Sequence, residues 1–113
     1  MPVYHINKKR QKKVIFPFFE QTNRLTQFTG IMFRNKFSKP VLFAGNGRIA
    51  IHSFFCPLFE AIFLDKYKRI VDIRCVKPWN PLVVSNAFFL FEMPPGTVSK
   101  HSLKKGDKLQ WTN

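Results

Sequence analysis

The chain contains few cysteines and no long apolar run. Its 113 residues include only Cys56 and Cys75, which lack Cys-x-x-Cys spacing, so neither a disulfide scaffold nor a thiolate zinc site is indicated. A membrane-spanning helix needs about 20 continuous apolar residues. The longest apolar stretch, Ile49–Phe59, is shorter and is interrupted by His, Ser and Pro. We therefore expect a protein with reduced thiols and no membrane span.

An export signal is also missing. The apolar run Val14–Phe19 follows a basic stretch, as a signal core would, but it contains Pro17 and is followed by Glu20. A signal core has about 7–15 apolar residues and is followed by small ones. The sequence therefore predicts a cytoplasmic protein.

Acidic residues are scarce, and the excess of bases is concentrated at the two ends. The chain has 19 Lys and Arg against 6 Asp and Glu, a formal charge of +13. Residues 1–13 hold five bases and no acid, and the segment from Thr97 onward holds four bases and one acid. The bases considered for anion contact are Lys8, Lys9, Arg10, Lys12, Lys13, Lys104 and Lys105.

These basic ends have two interpretations. Clustered cations attract polyanions without reading sequence, because binding releases counterions, so weak nonspecific nucleic-acid binding is one expectation. The simpler interpretation is a solvated, disordered arm over residues 1–13 that only keeps the protein in solution. In either case residues 14–113 are expected to form a single β-rich domain.

Short β-branched and aromatic segments between Pro and Gly turns predict an all-β fold, a compact jelly-roll-like sandwich or barrel. One short helix is expected between Thr22 and Gly30 and another near Val98–Leu103, with Thr97 as its N-cap. The 14 Phe residues are interpreted as core, with stacking on single-stranded nucleic acid as the alternative. The predicted strands are Val14–Phe19, Val41–Ala44, Ile49–Phe55, Leu58–Leu64, Ile70–Ile73, Asn86–Met93 and Lys108–Thr112.

Several short motifs occur in order along the chain: Gly30–Arg34, Ile51–Phe55, Ala61–Asp65, Lys77–Trp79, Phe91–Thr97 and Leu103–Asp107. Together they resemble domain-of-unknown-function family 192, also called uncharacterised protein family 0127, and in particular its archaeal branch. The resemblance spans about Val14 to Trp111, and it departs from the family pattern at Ile31, Pro57 and Pro95. It implies a mainly β domain of jelly-roll type. It implies no reaction, because the family has no assigned activity.

The most informative polar residue is Glu60, which lies in the apolar segment Leu58–Leu64 and shares its parity with the apolar residues there. A carboxylate in such a strand must be paired with a cation or with amides. The candidate partners are Arg34, Arg48 and His52, and Glu92 is a further acid that could join them. A structural ion pair is the favoured interpretation. The alternative is a pocket enzyme that uses Glu60 and His52 with an Arg as an anion clamp.

Other chemistry is weakly indicated. No metal site is expected, since His52 alone is well placed, and no cofactor motif is found. The turn Gly45–Arg48 could form a small anion nest. Trp79 could anchor a partner or could fold back as a plug over one end of the fold. The sequence thus predicts a small binding or accessory domain, more readily than an enzyme, with a polyanion as its expected partner.

Overall fold

A central five-stranded sheet organises the structure. A computed structural model describes residues 2–21, 39–51, 58–80 and 82–111. The elements are β1 (Val3–Ile6), β2 (Lys12–Phe16), β3 (Glu20–Gln21), β4 (Val41–Ala44), β5 (Ile49–Ile51), β6 (Phe59–Leu64), β7 (Ile70–Val76), β8 (Val83–Ser85), β9 (Phe89–Met93), α1 (Thr97–His101) and β10 (Lys108–Gln110). The central sheet has the strand order β3-β4-β9-β6-β7, a second sheet has the order β10-β1-β2, and β5 pairs with β8.

The central sheet is covered on both faces. Leu42, Ile62 and Phe91 on one face pack against the three-stranded sheet. On the other face, Phe43 and Phe63 pack against the β5–β8 pair. Because both faces are buried, β6 carries apolar side chains on both parities, as the sequence analysis predicted. The all-β, sandwich-like fold is therefore confirmed.

The β6–β7 hairpin forms where the hydrophobic pattern is interrupted by a polar turn. Asp65 Oδ1 accepts hydrogen bonds from the backbone N–H groups of Tyr67 (2.8 Å) and Arg69 (3.0 Å). Such side-chain bonds are why Asp is favoured at the start of tight turns. The hairpin confirms the prediction for this part of the chain, and β7 continues past the predicted end at Ile73 to Val76.

The prediction that residues 1–13 form a disordered arm is wrong. Val3–Ile6 form β1, the middle strand of the three-stranded sheet, which pairs with β2 on one side and β10 on the other. Val3 is fully buried in the core between the two larger sheets. The arm was predicted from the charge of the five bases that follow this segment, and Val3–Ile6 was not predicted as a strand.

Several aromatic predictions are confirmed and others are not. Phe43, Phe59, Phe63 and Phe91 are among the largest fully buried side chains, so core filling is their role. Phe88, which was also expected among core residues, is 37% exposed. The predicted strand residues 52–55 and the predicted helix between residues 22 and 30 lie outside the described residues.

The helix near Val98 is present, but its N-cap is not Thr97. Gly96 occupies the N-cap position with φ of 89°, a left-handed conformation that favours glycine. Thr97 instead donates its hydroxyl hydrogen bond to the carbonyl of Pro94, at 2.6 Å. Within the described ranges no helix has the length and apolar character needed to cross a bilayer.

Candidate functional site

The main candidate site is a basic cleft beside β1, with a volume of about 380 Å³. It exists because β1 pairs with both β2 and β10, which brings the N-terminal bases next to the turn that precedes β10. The residues lining it are His5, Asn7, Lys8, Lys9, Gln11, Lys13, His101, Ser102, Lys104 and Asp107. We refer to this set as the basic cleft.

A buried pair lies at one wall of the basic cleft. His5 Nε2 and Asp107 Oδ2 are 2.8 Å apart, and both residues are buried. The same carboxylate oxygen accepts the backbone N–H of Lys104 at 3.2 Å. Among the described residues Asp107 is the single acid that lines the cleft, and both contacts are made by its Oδ2. The pair fixes the turn that carries Lys104.

The lysines of the cleft lack acidic partners. Lys8, Lys9, Lys13 and Lys104 line the cleft and are exposed, and within the described part of the chain none of them forms an ion pair. The stem of Lys8 crosses Gly106, where an added Cβ would lie 3.1 Å from Lys8 Cε. Four unpaired ammonium groups around one concave surface produce a positive potential that attracts anions.

The other predicted anion contacts lie outside the basic cleft. Arg10 and Lys12 are exposed, and Lys12 places its ammonium group 4.4 Å from the centre of the Tyr4 ring. Lys105 faces a different groove, described below. The sequence analysis missed His101 and Ser102, which join the cleft because α1 ends there.

The environment of the basic cleft changes the pKa of His101. Burial lowers the pKa of His101, and the positive charges of Lys100, Lys13 and His5 lower it further. Its ring also lies 6.3 Å from the Phe16 ring, in a tilted arrangement. At neutral pH the His101 ring is therefore uncharged and adds no repulsion to the surrounding cations.

This shift predicts a pH dependence of stability. Because the pKa of His101 is lower in the folded state than the unfolded value of 6.5, the unfolded state binds more protons below that value. The contribution of His101 to the free energy of unfolding should therefore be lost as the pH falls below about 6.5. We expect His101→Gln to flatten this loss in urea melts between pH 8 and pH 5. Equal pH slopes for the two proteins would contradict the assignment.

Among the described residues, the partners of Glu60 are backbone amides. Glu60 Oε1 accepts the backbone N–H of Val98 at 2.8 Å, and Oε2 accepts that of Gly96 at 3.2 Å. Its charge is therefore met by the first amides of α1, in the way that an N-cap side chain would meet them. The sequence correctly predicted that the Glu60 carboxylate has a partner. In these two contacts the partner is a backbone amide and not the expected Arg or His side chain.

Glu60 and Glu92 do not converge. In the ladder between β6 and β9, Glu60 faces Met93 and Ala61 faces Glu92. Paired residues point to the same side of a sheet and neighbouring residues point to opposite sides. The two carboxylates therefore lie on opposite faces of the central sheet, which removes the proposed shared pocket. Arg34 and His52 lie outside the described residues, and Arg48 is exposed.

Trp79 is exposed over 59% of its surface and has φ of 63° in the loop after β7. A ring that plugged one end of the fold would be buried, so the plug interpretation is wrong. The role of Trp79 as a partner anchor stays a prediction.

Comparison with known proteins agrees with the fold. A family model described as DUF192, Uncharacterized ACR, matches residues 19–111. A UPF0127 protein of Pyrococcus furiosus is 28% identical over 113 residues, covering 94% of this chain and 96% of the relative. A UPF0127 protein of Pyrococcus horikoshii is 34% identical over 64 residues, covering 55% of this chain and 56% of the relative.

Two crystal structures have a similar fold. One is a protein of unknown function from Novosphingobium aromaticivorans, with a TM-score of 0.80 and 19% identity over 98% of this chain and 84% of that one. The other, from Sinorhizobium meliloti, is named as a candidate transcription regulator, with a TM-score of 0.83 and 18% identity over 96% and 90% of the two chains. At this identity the likeness shows the fold alone. Because the family model covers most of its length and the matching relatives are archaeal, this chain belongs to the DUF192 family and resembles its archaeal members.

Proposed function

We propose that the protein is a nucleic-acid-binding accessory domain that contacts the phosphate backbone at the basic cleft, without reading base sequence. The observation that carries the proposal is the convergence of four unpaired lysines, three from the β1–β2 region and one from the turn before β10. Lysine contacts to phosphates supply most of the free energy of nonspecific binding. A cytoplasmic site of action, where nucleic acid is abundant, is part of the same proposal.

The wall of the basic cleft supports an anionic ligand. Asp107 would repel a phosphate, but its Oδ2 already accepts hydrogen bonds from His5 and from the Lys104 amide. His101 adds a charge that changes with pH, since an approaching phosphate favours its protonated form. Binding should therefore raise the pKa of His101, take up a proton and become tighter as the pH falls.

The test is the salt dependence of binding to a fluorescent 20-base-pair DNA, measured by anisotropy. Lys9→Ala, Lys13→Ala and Lys104→Ala are combined, and Lys8 is kept because its stem packs over Gly106. Each phosphate contact contributes about 0.9 to the slope of log K against log salt concentration. We expect the triple variant to reduce the magnitude of that slope by about 2.7, because three contacts are lost.

The matched control removes three lysines that do not line the basic cleft, Lys39, Lys66 and Lys77, which are all exposed. It lowers the net charge equally and should leave the slope close to that of the wild type. Deleting residues 1–13 is unsuitable, since it would remove β1 from the middle of its sheet. If the wild type ignores DNA at low salt, or if both triple variants change the slope equally, the proposal is wrong.

A further inference from the structure

A second polar groove, of about 560 Å³, lies between the edge strand β7 and the β5–β8 pair. It shares no lining residue with the basic cleft. Its polar lining residues are Arg48, Asp72, Arg74, Ser85, Asn86 and Lys105. We refer to this set as the β7 groove. The volume falls in the range of pockets that hold small-molecule ligands.

Asp72 holds two donors of the β7 groove in place. Its Oδ2 accepts a hydrogen bond from Arg74 Nε at 2.9 Å and another from Ser85 Oγ at 3.2 Å. Asp72 and Arg74 are two residues apart on β7, so both side chains leave the same face. Because Nε is engaged, the two terminal guanidinium nitrogens of Arg74 are oriented as a fork that can bind an oxyanion.

The remaining donors reach the β7 groove through the fold. The pairing of Ile49 with Ser85 brings Arg48, the residue before β5, beside Asn86, the residue after β8. Lys105 belongs to the turn before β10, which is joined to β7 by the Gly106 N–H bond to the carbonyl of Ile70, at 2.8 Å. Three separate parts of the chain therefore supply one cationic surface.

The charge of the β7 groove selects its ligand. Three bases, Arg48, Arg74 and Lys105, line the groove together with one carboxylate, that of Asp72. Their formal charges sum to +2. Neither Arg48 nor Lys105 has a carboxylate partner among residues 2–21, 39–51, 58–80 and 82–111. A phosphate monoester carries a charge close to −2 at neutral pH and has three acceptor oxygens. A single carboxylate has half that charge and two oxygens.

We infer that the β7 groove is a binding site for a small phosphate monoester, in which the Arg74 fork, Arg48 and Lys105 contact the phosphate oxygens. Asn86 lies beside them and can donate its amide hydrogens to the same group or to the rest of the ligand, whereas the one hydroxyl proton of Ser85 is already donated to Asp72. Asp72 is a positioning residue, since it acts on the phosphate through Arg74.

The site is tested by NMR titration of the amide signals with inorganic phosphate and with glycerol 3-phosphate, at constant ionic strength. All titrations use the Lys9→Ala, Lys13→Ala, Lys104→Ala background, so that the basic cleft is weakened. We expect saturable shifts at Val71–Arg74 and at Ser85 and Asn86. Arg48→Ala and Arg74→Ala should each weaken binding about tenfold, because each removes charge-assisted hydrogen bonds.

Three controls separate the β7 groove from general charge effects. Arg69→Ala removes an exposed arginine that does not line the groove and should change affinity less than twofold. Arg74→Lys keeps the charge but loses the fork, and should still weaken binding. Asp72→Asn makes the groove more positive, yet should also weaken binding because Arg74 loses its anchor. Tighter binding by Asp72→Asn would overturn the positioning role.

Two results would overturn the site itself. One is malonate, a dicarboxylate, binding as tightly as phosphate with the same shifts. The other is a titration in which phosphate shifts only the amide signals of the basic cleft, or in which Arg69→Ala and Arg74→Ala lower the affinity for phosphate equally. Failure of the DNA experiment leaves this inference intact, because the two tests use different residues and different readouts.

Discussion

Replacing Phe91 with alanine is expected to lower the free energy of unfolding by about 4 kcal/mol, within the range known for buried aromatic residues. Phe91 is fully buried on the face of the central sheet that meets the three-stranded sheet. Its ring makes edge contacts with Phe19, at 5.7 Å between centroids, and with Trp111, at 5.0 Å. Removing it leaves a cavity whose apolar walls lose their contacts on one side.

The measurement is urea denaturation followed by Trp fluorescence and by circular dichroism. Phe18→Ala is the matched control, because its ring is 60% exposed and its loss creates no cavity. That variant should change the free energy of unfolding by no more than about 0.5 kcal/mol. Similar losses for Phe18→Ala and Phe91→Ala would contradict the placement of the core between the two larger sheets.

Replacing Glu60 with glutamine is expected to cost about 2 kcal/mol of stability, because it removes a charge-assisted hydrogen bond at the start of α1. The carboxylate accepts from the amides of Gly96 and Val98 with separate oxygens. Glutamine offers one acceptor oxygen, and its NH₂ group meets the other amide as donor against donor. Glu60→Ala should be more destabilising still, because both amides lose their acceptor.

Hydrogen exchange gives this prediction a local readout. The Val98 amide should lose protection in Glu60→Gln, whereas amides in the distant β5–β8 pair should follow only the change in global stability. Ser99→Ala is the control within the same helix, since Ser99 is exposed and carries none of the Glu60 contacts. A Glu60→Gln protein of unchanged stability that had lost the binding of a specific ligand would favour the enzymatic interpretation instead.

The contacts of Glu60 show what the sequence pattern can and cannot predict. The apolar segment around it correctly indicated that its carboxylate needs a partner, since a charge among buried side chains must be satisfied. The pattern could not name that partner. The amides of Gly96 and Val98 lie 36 and 38 residues away along the chain. All backbone N–H groups have the same hydrogen-bonding chemistry, so only the fold determines which of them lies next to Glu60.

Glu92 shows the same limit in a different way. It lies in an aromatic strand and is 4% exposed. Whether it shares a face with Glu60 depends on the register of β6 against β9, because a shift of one residue exchanges the two faces of a strand. The register pairs Ala61 with Glu92, and hydrophobicity alone does not determine it where both faces are apolar.

The central strands were predictable for a physical reason. Val41–Ala44 occurs as predicted, and Phe59–Leu64 begins one residue later than expected. Both are predominantly apolar runs between turn residues with apolar side chains on both parities, which is typical of strands covered on two faces. Val83–Ser85 and Val3–Ile6 were missed because each is short and contains or adjoins polar residues.

The amino-acid sequence by itself determined that the chain is an all-β protein, that its rings fill a core and that its bases outnumber its acids at both ends. Those properties are local or compositional. Only the tertiary structure decided that Lys9 and Lys104 line one cleft, and that Lys105 faces a different groove. The physical reason is strand pairing: β1 between β2 and β10 joins the two ends of the chain, and a tight turn sends adjacent side chains to opposite sides.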